Sequence, residues 1–280
     1  MLAKELIQLG SSVLKQNNII SHQIDAELIL GNILQKKRED LIISSRIELT
    51  KEEIQKFNSN WIRRIKKEPI AYILNRREFW KDNFFVDKNA LIPRPETELL
   101  IEKISKYFKN SSPFILDVGT GSGCIVISLL KEIKSARAIA IDISPKALKI
   151  ALRNAVKIGV KKRIKFLSRS IDQKLSGKFD IIVSNPPYIQ RNELVHLAKD
   201  IRNYEPKIAL DGGNDGLDVI KKVIYKAKYI LKINGMLALE IGNKQHKKVS
   251  QILEKENFRV VNLIKDYKSN VRCIISKLKH

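Results

Sequence analysis

Cysteine is almost absent from this chain of 280 residues, which has only Cys124 and Cys273. Two thiols so far apart cannot form the network of bridges that stabilises a small disulfide-rich domain. They are also too few for a cysteine-rich zinc site. This scarcity indicates a reducing, cytoplasmic setting.

Histidine is also scarce, and no metal-ligand spacing is present. The four histidines are His22, His196, His246 and His280. No two of them have the short separation on one helix or loop that zinc-binding histidines show. We therefore expect no metal site.

Long apolar runs are missing as well. No stretch approaches the roughly 20 apolar residues that a membrane-spanning helix requires. Near the start, Lys4 and Glu5 stand where a secretory signal would be apolar. The sequence predicts no membrane partner. With 44% hydrophobic residues, it does have enough apolar material for a large core.

Acidic residues are few relative to basic ones, and the net charge is +23. Two interpretations stay open. A charge of this size suits a polyanionic partner, so a weak contact with RNA or a ribosomal complex is one hypothesis. The other is compositional drift, because lysines are scattered over nearly every segment. Short basic clusters such as 161–163 also lack the interleaved aromatic residues on which single strands stack.

Residues 1–67 have the pattern of a small helical bundle. Leu2, Leu6 and Leu9 follow helical spacing. Thr50, with Glu53 three residues later, is typical of a capping box at the start of a third helix. The segment has no glycine-rich loop and no catalytic cluster, so we predict an N-terminal helical domain at 1–67.

Residues 68–93 are predicted to link two domains through a β-hairpin. Apolar residues alternate with polar ones in Glu78-Phe79-Trp80 and return in Phe84-Phe85-Val86-Asp87. The polar break Lys81-Asp82-Asn83 lies between these stretches and is the expected turn.

From residue 94 to the end, helices and strands alternate, which predicts an α/β domain at 94–280 with a Rossmann-like, mainly parallel sheet of seven strands. A short polar turn joins the last two strands and indicates an antiparallel pair. The expected strands are 114–118, 138–143, 164–167, 180–184, 236–241, 259–263 and 271–277.

The first of these strands ends in a glycine loop. Gly119, Gly121 and Gly123 allow a tight turn and a close approach of the backbone to a ligand at the N-terminus of the next helix. Their spacing is G-x-G-x-G, whereas dinucleotide sites have G-x-G-x-x-G. Asp142 closes the second strand, where a carboxylate can accept hydrogen bonds from both hydroxyls of a ribose. Together these features predict a nucleotide-like cofactor at the carboxyl edge of the sheet.

The fourth strand ends in the corner Asn185-Pro186-Pro187-Tyr188. Each proline fixes its own φ, and a residue before proline is driven into an extended conformation, so the corner is stiff. Its carbonyls and the Asn185 amide can accept hydrogen bonds beside the Tyr188 ring. Such a corner suits a flat, neutral group that bears N–H, such as a glutamine amide or the exocyclic amine of a base.

The glycine loop, Asp142 and the corner resemble the class I S-adenosylmethionine-dependent methyltransferases that act on amide or exocyclic nitrogens. Over essentially the whole chain, further segments resemble the peptide chain release factor glutamine methyltransferases. These segments are Tyr72-Ile73-Leu74, Arg77-Glu78-Phe79-Trp80, Ile92-Pro93-Arg94-Pro95-Glu96-Thr97-Glu98, Asn185-Pro186-Pro187-Tyr188-Ile189, Glu205-Pro206 and 209–217.

This resemblance implies transfer of a methyl group from S-adenosyl-L-methionine to the side-chain nitrogen of the glutamine in the Gly-Gly-Gln motif of release factors, within translation termination. It implies a role for each of two residue sets. The cofactor-binding residues are Gly119, Thr120, Gly121, Ser122, Gly123, Asp142 and Asn185. The glutamine pocket consists of Asn185, Pro186, Pro187 and Tyr188, of which Asn185, Pro186 and Tyr188 are the catalytic group.

The resemblance also implies that Leu91 and the segment 92–98 approach the site of methyl transfer. In one place the chain departs from the family. After the third strand, many members have an acidic and an aromatic residue near the adenine, where this chain has Ser168-Arg169-Ser170. One glutamine offers few atoms for discrimination, so the domain 1–67 is expected to dock the protein substrate.

Other functions stay open at this stage. An enzyme of the same fold could methylate an adenine amine or a glutamine of a ribosomal protein. A third alternative is an RNA-binding protein with a vestigial Rossmann-like domain. The intact glycine loop, Asp142 and Asn185 argue against this last alternative.

Overall fold

The structure is a computed structural model that describes residues 1–43, 46–175 and 177–279. The chain divides into two compact units. One consists of Met1–Arg76 with Ala198–Tyr204, and the other of Arg77–Leu197 with Glu205–His280. His280 itself lies outside the described residues. Among the helices of the described ranges, none combines the length and apolar character needed to cross a membrane.

The first unit is helical. The capping box predicted at Thr50 is present, since the Thr50 hydroxyl accepts from the Glu53 N–H at 3.2 Å and the Glu53 carboxylate accepts from the Thr50 N–H at 2.8 Å. The apolar faces enclose one core that includes Leu14, Ile29 and Phe57. Its helices are α1 (Ala3–Gln16), α2 (His22–Leu34), α3 (Arg38–Ile43), α4 (Lys51–Ile65) and α5 (Ile70–Ile73), together with Lys199–Tyr204 from later in the chain.

The predicted hairpin is present as β1 (Arg77–Phe79) and β2 (Asp82–Phe84), which pair antiparallel. The polar break predicted at 81–83 coincides with the turn only at Lys81. Phe79 pairs with Asp82, so the turn is Trp80-Lys81, and Asp82 and Asn83 belong to the second strand. Trp80 adopts a positive φ of 55°, and its indole N–H donates to the Glu132 carboxylate at 2.8 Å. The turn therefore begins at Trp80, a large aromatic residue held by Glu132, and not at the polar residues that follow it.

The second unit contains the predicted seven-stranded sheet, in the order β5-β4-β3-β6-β7-β9-β8. Strands β3 to β7 run parallel to one another, and β9 runs antiparallel to both of its neighbours, β7 and β8. The α/β fold with a mainly parallel sheet and a closing antiparallel pair is therefore confirmed. The strands are β3 (Phe114–Val118), β4 (Arg137–Asp142), β5 (Ile164–Ser168), β6 (Phe179–Ser184), β7 (Leu231–Glu240), β8 (Phe258–Lys265) and β9 (Val271–Leu278).

Helices cover both faces of this sheet. Successive residues of a strand point to opposite faces. Ile115 accordingly packs in one apolar cluster, and Leu116 in the other. The first cluster contains residues of α6, α7 and α8, and the second contains residues of α10 and α11. These helices are α6 (Glu98–Tyr107), α7 (Cys124–Glu132), α8 (Pro145–Lys157), α10 (Asp218–Ile230) and α11 (His246–Lys255), with α9 being Lys199–Tyr204.

The strand order reverses next to β3. From β3 the chain continues outward to β4 and β5, and then returns to place β6 on the other side of β3. In an open α/β sheet, ligands bind at the carboxyl ends of the strands where this reversal occurs. The ends of β3 and β6 lead into Gly119 and Asn185, so the fold brings the predicted cofactor loop and the predicted corner to one edge.

Candidate active site

A cavity of about 410 Å³ opens at this edge of the second unit. Its volume falls within the range of pockets that hold small ligands. The loops after β3, β4, β5 and β6 contribute to its wall, as does the segment that precedes α6. Residues of the wall include Thr97, Gly119, Gly121, Asp142, Asn185 and Pro187.

The glycine loop forms one side of the cavity. Gly119 and Gly121 have positive φ values of 72° and 55°. A Cβ added at Gly119 would meet nothing within 4 Å, so this glycine faces open space. Gly123 has a different role, because a Cβ there would lie 2.7 Å from Ile127 Cδ1. The first two glycines thus leave the backbone open to a ligand, and the third allows close packing of α7.

Asp142 connects the glycine loop to the loop after β4. Its Oδ2 accepts from the Gly121 N–H at 2.9 Å, and its Oδ1 accepts from the Ser144 N–H at 2.8 Å. Burial raises the pKa of this carboxyl group, and the two backbone hydrogen bonds oppose that rise. The carboxylate therefore lines the cavity in a position that both loops fix.

Two further predicted residues, Thr120 and Ser122, are buried beside the cavity. The Thr120 hydroxyl donates to Asp117 at 2.7 Å. Burial raises the pKa of Asp117 to about 7, although the bond from Thr120 lowers it. We did not predict a role for Asp117. The signal for it was a carboxylate inside an otherwise apolar strand.

The corner after β6 contributes Asn185 and Pro187 to the cavity wall, whereas Pro186 and Tyr188 do not line it. The Tyr188 hydroxyl instead donates to Glu240 Oε1 at 3.3 Å, and its ring packs against the apolar cluster of α10 and α11. The structure therefore brings Asn185 and Pro187 together with the glycine loop and Asp142, but directs the Tyr188 ring elsewhere.

Thr97, from the predicted segment 92–98, and Glu240, which the sequence analysis missed, are polar neighbours of Asn185. The Asn185 amide donates to the Thr97 hydroxyl at 3.3 Å, and that hydroxyl donates to Glu240 Oε2 at 2.5 Å. Thr97 and Glu240 are both buried, and burial raises the pKa of Glu240 to about 7. The sequence did contain a sign of this role, because Glu240 is a charged residue within the otherwise apolar strand 236–241.

Part of the segment before α6 lies at the cavity. Leu91, Pro93, Arg94 and Thr97 line the wall. Buried Glu205 holds this segment, since its carboxylate accepts from Arg94 at 2.6 Å and from the Ile92 N–H at 3.2 Å. The family-like Glu205-Pro206 motif thus has a structural explanation.

The loop after β5, where the chain departs from the family pattern, also reaches the cavity. Arg169 and Ser170 line the wall together with Ile171 and Asp172. The Arg169 N–H donates to the Asp142 carbonyl oxygen at 3.0 Å, which places this loop next to the loop after β4. Ile143, on that neighbouring loop, is half exposed toward the same cavity.

Metal-ligating side chains and the thiol at the cavity are the other reactive groups to consider. Over the described ranges 1–43, 46–175 and 177–279, no group of three His, Cys, Asp or Glu side chains could hold a metal ion. Cys124 lines the cavity, but burial raises the pKa of its thiol to about 12. The thiolate that a nucleophile requires is therefore disfavoured.

The seven-stranded α/β sheet and a match to a methyltransferase family model together define this protein as a class I methyltransferase. Two family models match the chain: the PrmC N-terminal domain over residues 5–74, and the methyltransferase small domain over residues 95–203.

Relatives named release factor glutamine methyltransferase resemble the chain over nearly its full length. The protein of Clostridium acetobutylicum is 36% identical over 99% of this chain and 98% of its own. That of Buchnera aphidicola is 40% identical over 97% of this chain and 98% of its own. The chain belongs to the release factor glutamine methyltransferase family. It also matches 57% of a bifunctional methyltransferase of Rickettsia felis, at 36% identity.

Solved structures support the fold. A ribosomal protein L11 methylase of Lactobacillus delbrueckii superposes with a TM-score of 0.52 at 22% identity, covering 68% of this chain and 82% of its own. A methyltransferase of Pyrococcus furiosus has a TM-score of 0.52 at 17% identity, covering 80% of this chain and 98% of its own. At these identities the likeness shows the fold alone.

Proposed function

We propose that this enzyme methylates the side-chain amide nitrogen of the glutamine in the Gly-Gly-Gln motif of peptide chain release factors, with S-adenosyl-L-methionine as methyl donor. The observation that carries the proposal is the Asn185 carboxamide, which lies at the cavity with its NH₂ group donating to Thr97. That bond leaves the carboxamide oxygen to accept from another NH₂ group. Family membership supports the same substrate.

The residues at the cavity fit the methyl donor. Open space beside Gly119 admits a ligand against the backbone, and Asp142 offers a carboxylate to the hydroxyls of a ribose. The glycine loop, Asp142 and Asn185 would hold the cofactor. When it is bound, its sulfonium supplies an electrophilic methyl group.

The chain's own residues then have to orient a poor nucleophile, because the lone pair of an amide nitrogen is delocalised into its carbonyl. The Asn185 oxygen at the cavity wall accepts one N–H bond of the substrate amide. In the proposal, the substrate amide reaches past this wall to the carbonyl of Pro186, the next residue of the corner, which accepts the other, and the two acceptors hold the nitrogen in line for transfer. The same acceptors stabilise the positive charge that develops on this nitrogen. Pro187 completes the wall of the pocket. Tyr188 stabilises the corner through the hydrogen bond that its hydroxyl donates to Glu240. No general base is required if the proton leaves to solvent after transfer.

The domain 1–67 docks the release factor in this proposal, and the domain 94–280 performs the chemistry. A cytoplasmic location is part of the same proposal, because its substrate belongs to translation termination. The contact with RNA or another polyanion that the net charge suggests stays a prediction.

Labelled S-adenosyl-L-methionine, offered with release factor, DNA and ribosomes in parallel, tests the substrate. We expect label only in release factor, with none in a factor whose motif glutamine is replaced by alanine. Label in DNA would favour an adenine amine instead. Label in a ribosomal protein alone would favour a glutamine of that protein as the substrate. The absence of label from all three would exclude the proposed function.

The cofactor site is tested by Asp142→Ala. Loss of this carboxylate is expected to weaken cofactor binding by about 1.5–3 kcal/mol, which is typical of hydrogen bonds to a charged group. Titration calorimetry measures the change. Asp266→Ala is a matched control, since Asp266 also fixes a turn by accepting backbone N–H bonds, but outside the cavity. Unchanged affinity in a folded Asp142→Ala protein would remove Asp142 from the site.

A further inference from the structure

Glu240 is a buried carboxylate that the proposed chemistry does not use directly. It ends β7, a strand whose preceding residues are the apolar run Met236–Leu239, and only 2% of its surface is exposed. Burying a carboxylate is costly unless hydrogen bonds compensate. Its position behind Asn185 therefore needs an explanation.

The hydrogen bonds of Glu240 determine which way the Asn185 carboxamide points. A threonine hydroxyl has one proton to donate. Thr97 gives that proton to Glu240 Oε2 at 2.5 Å, so toward Asn185 its oxygen can only accept. Asn185 must then present its NH₂ group to Thr97, and its oxygen is left for the cavity.

We infer that Glu240 and Thr97 are positioning residues, which hold the Asn185 oxygen toward the amide of the substrate glutamine. This inference rests on the proposed function. Without the pair, the carboxamide can turn over and present its own NH₂ group to the substrate NH₂ group. Two donors would then face each other, and the substrate nitrogen would lose its alignment.

A proton on Glu240 would disturb this arrangement, because the protonated acid can donate to Thr97 and free the hydroxyl to donate to Asn185. The groups that face Glu240 are Thr97, Tyr188, Glu96, Arg272, Cys124 and Cys273. Burial raises the pKa values of Tyr188 and of both thiols, so these three groups stay protonated near neutral pH.

Burial also raises the pKa of Glu240 to about 7, with the Glu96 carboxylate adding to the rise and Arg272 opposing it. Orientation of Asn185 is therefore complete above pH 7 and is lost as the pH falls through that value.

Three variants test the pair by activity. We expect Thr97→Val and Glu240→Leu, which removes every acceptor at this position, to lower kcat on release factor by about 10- to 100-fold, the scale on which misplacement of a reacting group acts. Thr97→Ser restores the hydroxyl and should recover most of the loss. Equal activity of Thr97→Val and Thr97→Ser would overturn the inference, as would a wild-type rate in Glu240→Leu.

A second measurement is independent of methyl transfer. The ¹⁵N signals of the Asn185 side-chain amide, assigned by their absence in Asn185→Ala, are followed against pH in the cofactor-free full chain. We expect a transition near pH 7 in the wild type and none in Glu240→Gln or Thr97→Val. Asp117, whose pKa also lies near 7, is intact in these variants, so a transition that persists in them would overturn the inference. If no release factor is methylated but the transition follows Glu240, the proposed function fails and the orienting contact stands.

Discussion

Replacing Asn185 by alanine is expected to lower turnover on release factor by about 10²–10³, the effect of removing one preorganised polar group from an active site. The carboxamide oxygen is the side-chain acceptor proposed for the substrate amide, and alanine has none. Part of the loss can take the form of weaker cofactor binding, since Asn185 is expected to contact both ligands. Steady-state kinetics with release factor, combined with calorimetry for the cofactor, separates the two contributions.

Asn262→Ala is a suitable control for this substitution. Asn262 lies on β8, at the edge of the sheet and three strands away from β6. The control is expected to keep wild-type turnover. Wild-type turnover in a folded Asn185→Ala protein would contradict the mechanism, because another acceptor would then have to align the substrate nitrogen.

Local sequence patterns were enough to predict the site residues that lie at the carboxyl ends of strands. Gly119 and Asp142 each follow or close a parallel strand, and the carboxyl ends of such strands meet at one edge. Asn185 follows a third strand at the same edge. Alternation, turn residues and motif spacing were therefore sufficient to predict these residues together.

The contacts that orient Asn185 depend on tertiary packing, which no local pattern contains. Asn185 and Thr97 are 88 residues apart, and Thr97 and Glu240 are 143 residues apart. Periodicity indicates that Glu240 belongs to a buried strand, but it does not identify the partner that makes burial of the carboxylate tolerable. For the same reason the ring of Tyr188 was expected at the substrate, whereas its hydroxyl contacts Glu240.

The segment 198–204 is a similar case in the domain organisation. In sequence it lies inside the catalytic part, between the corner at 185–188 and α10. In the structure it groups with the helical unit, where the Tyr204 hydroxyl donates to the Lys66 carbonyl oxygen at 2.8 Å. Domain boundaries drawn at residues 67 and 94 divide the chain into consecutive segments. They therefore cannot group a helix near residue 200 with the N-terminal helices.

Removing the helical unit is expected to abolish most activity on intact release factor, by about 10²-fold or more in kcat/KM, while cofactor binding survives. The cofactor-binding residues all lie in the second unit, which has apolar clusters on both faces of its sheet. A protein substrate, by contrast, needs contacts well beyond one glutamine to be distinguished from other proteins. The chain is best started at Arg77, because Ile70 packs against the core of the helical unit.

The helix Lys199–Tyr204 loses its packing partner in this shortened chain. A second version, in which a flexible Gly/Ser linker of equal length replaces residues 198–204, controls for the newly exposed surface. Circular dichroism and calorimetry with the cofactor establish that each version is folded.

Comparison of two substrates then identifies the role of the helical unit. A short Gly-Gly-Gln peptide presents only the motif, so its kcat/KM is expected to change less than about threefold when the docking unit is removed, whereas the intact factor loses most of its rate. Normal methylation of the intact factor by the folded, shortened enzyme would show that the helical unit has another function. Loss of cofactor binding would show instead that the unit stabilises the catalytic one, and the proposed division of roles would be wrong.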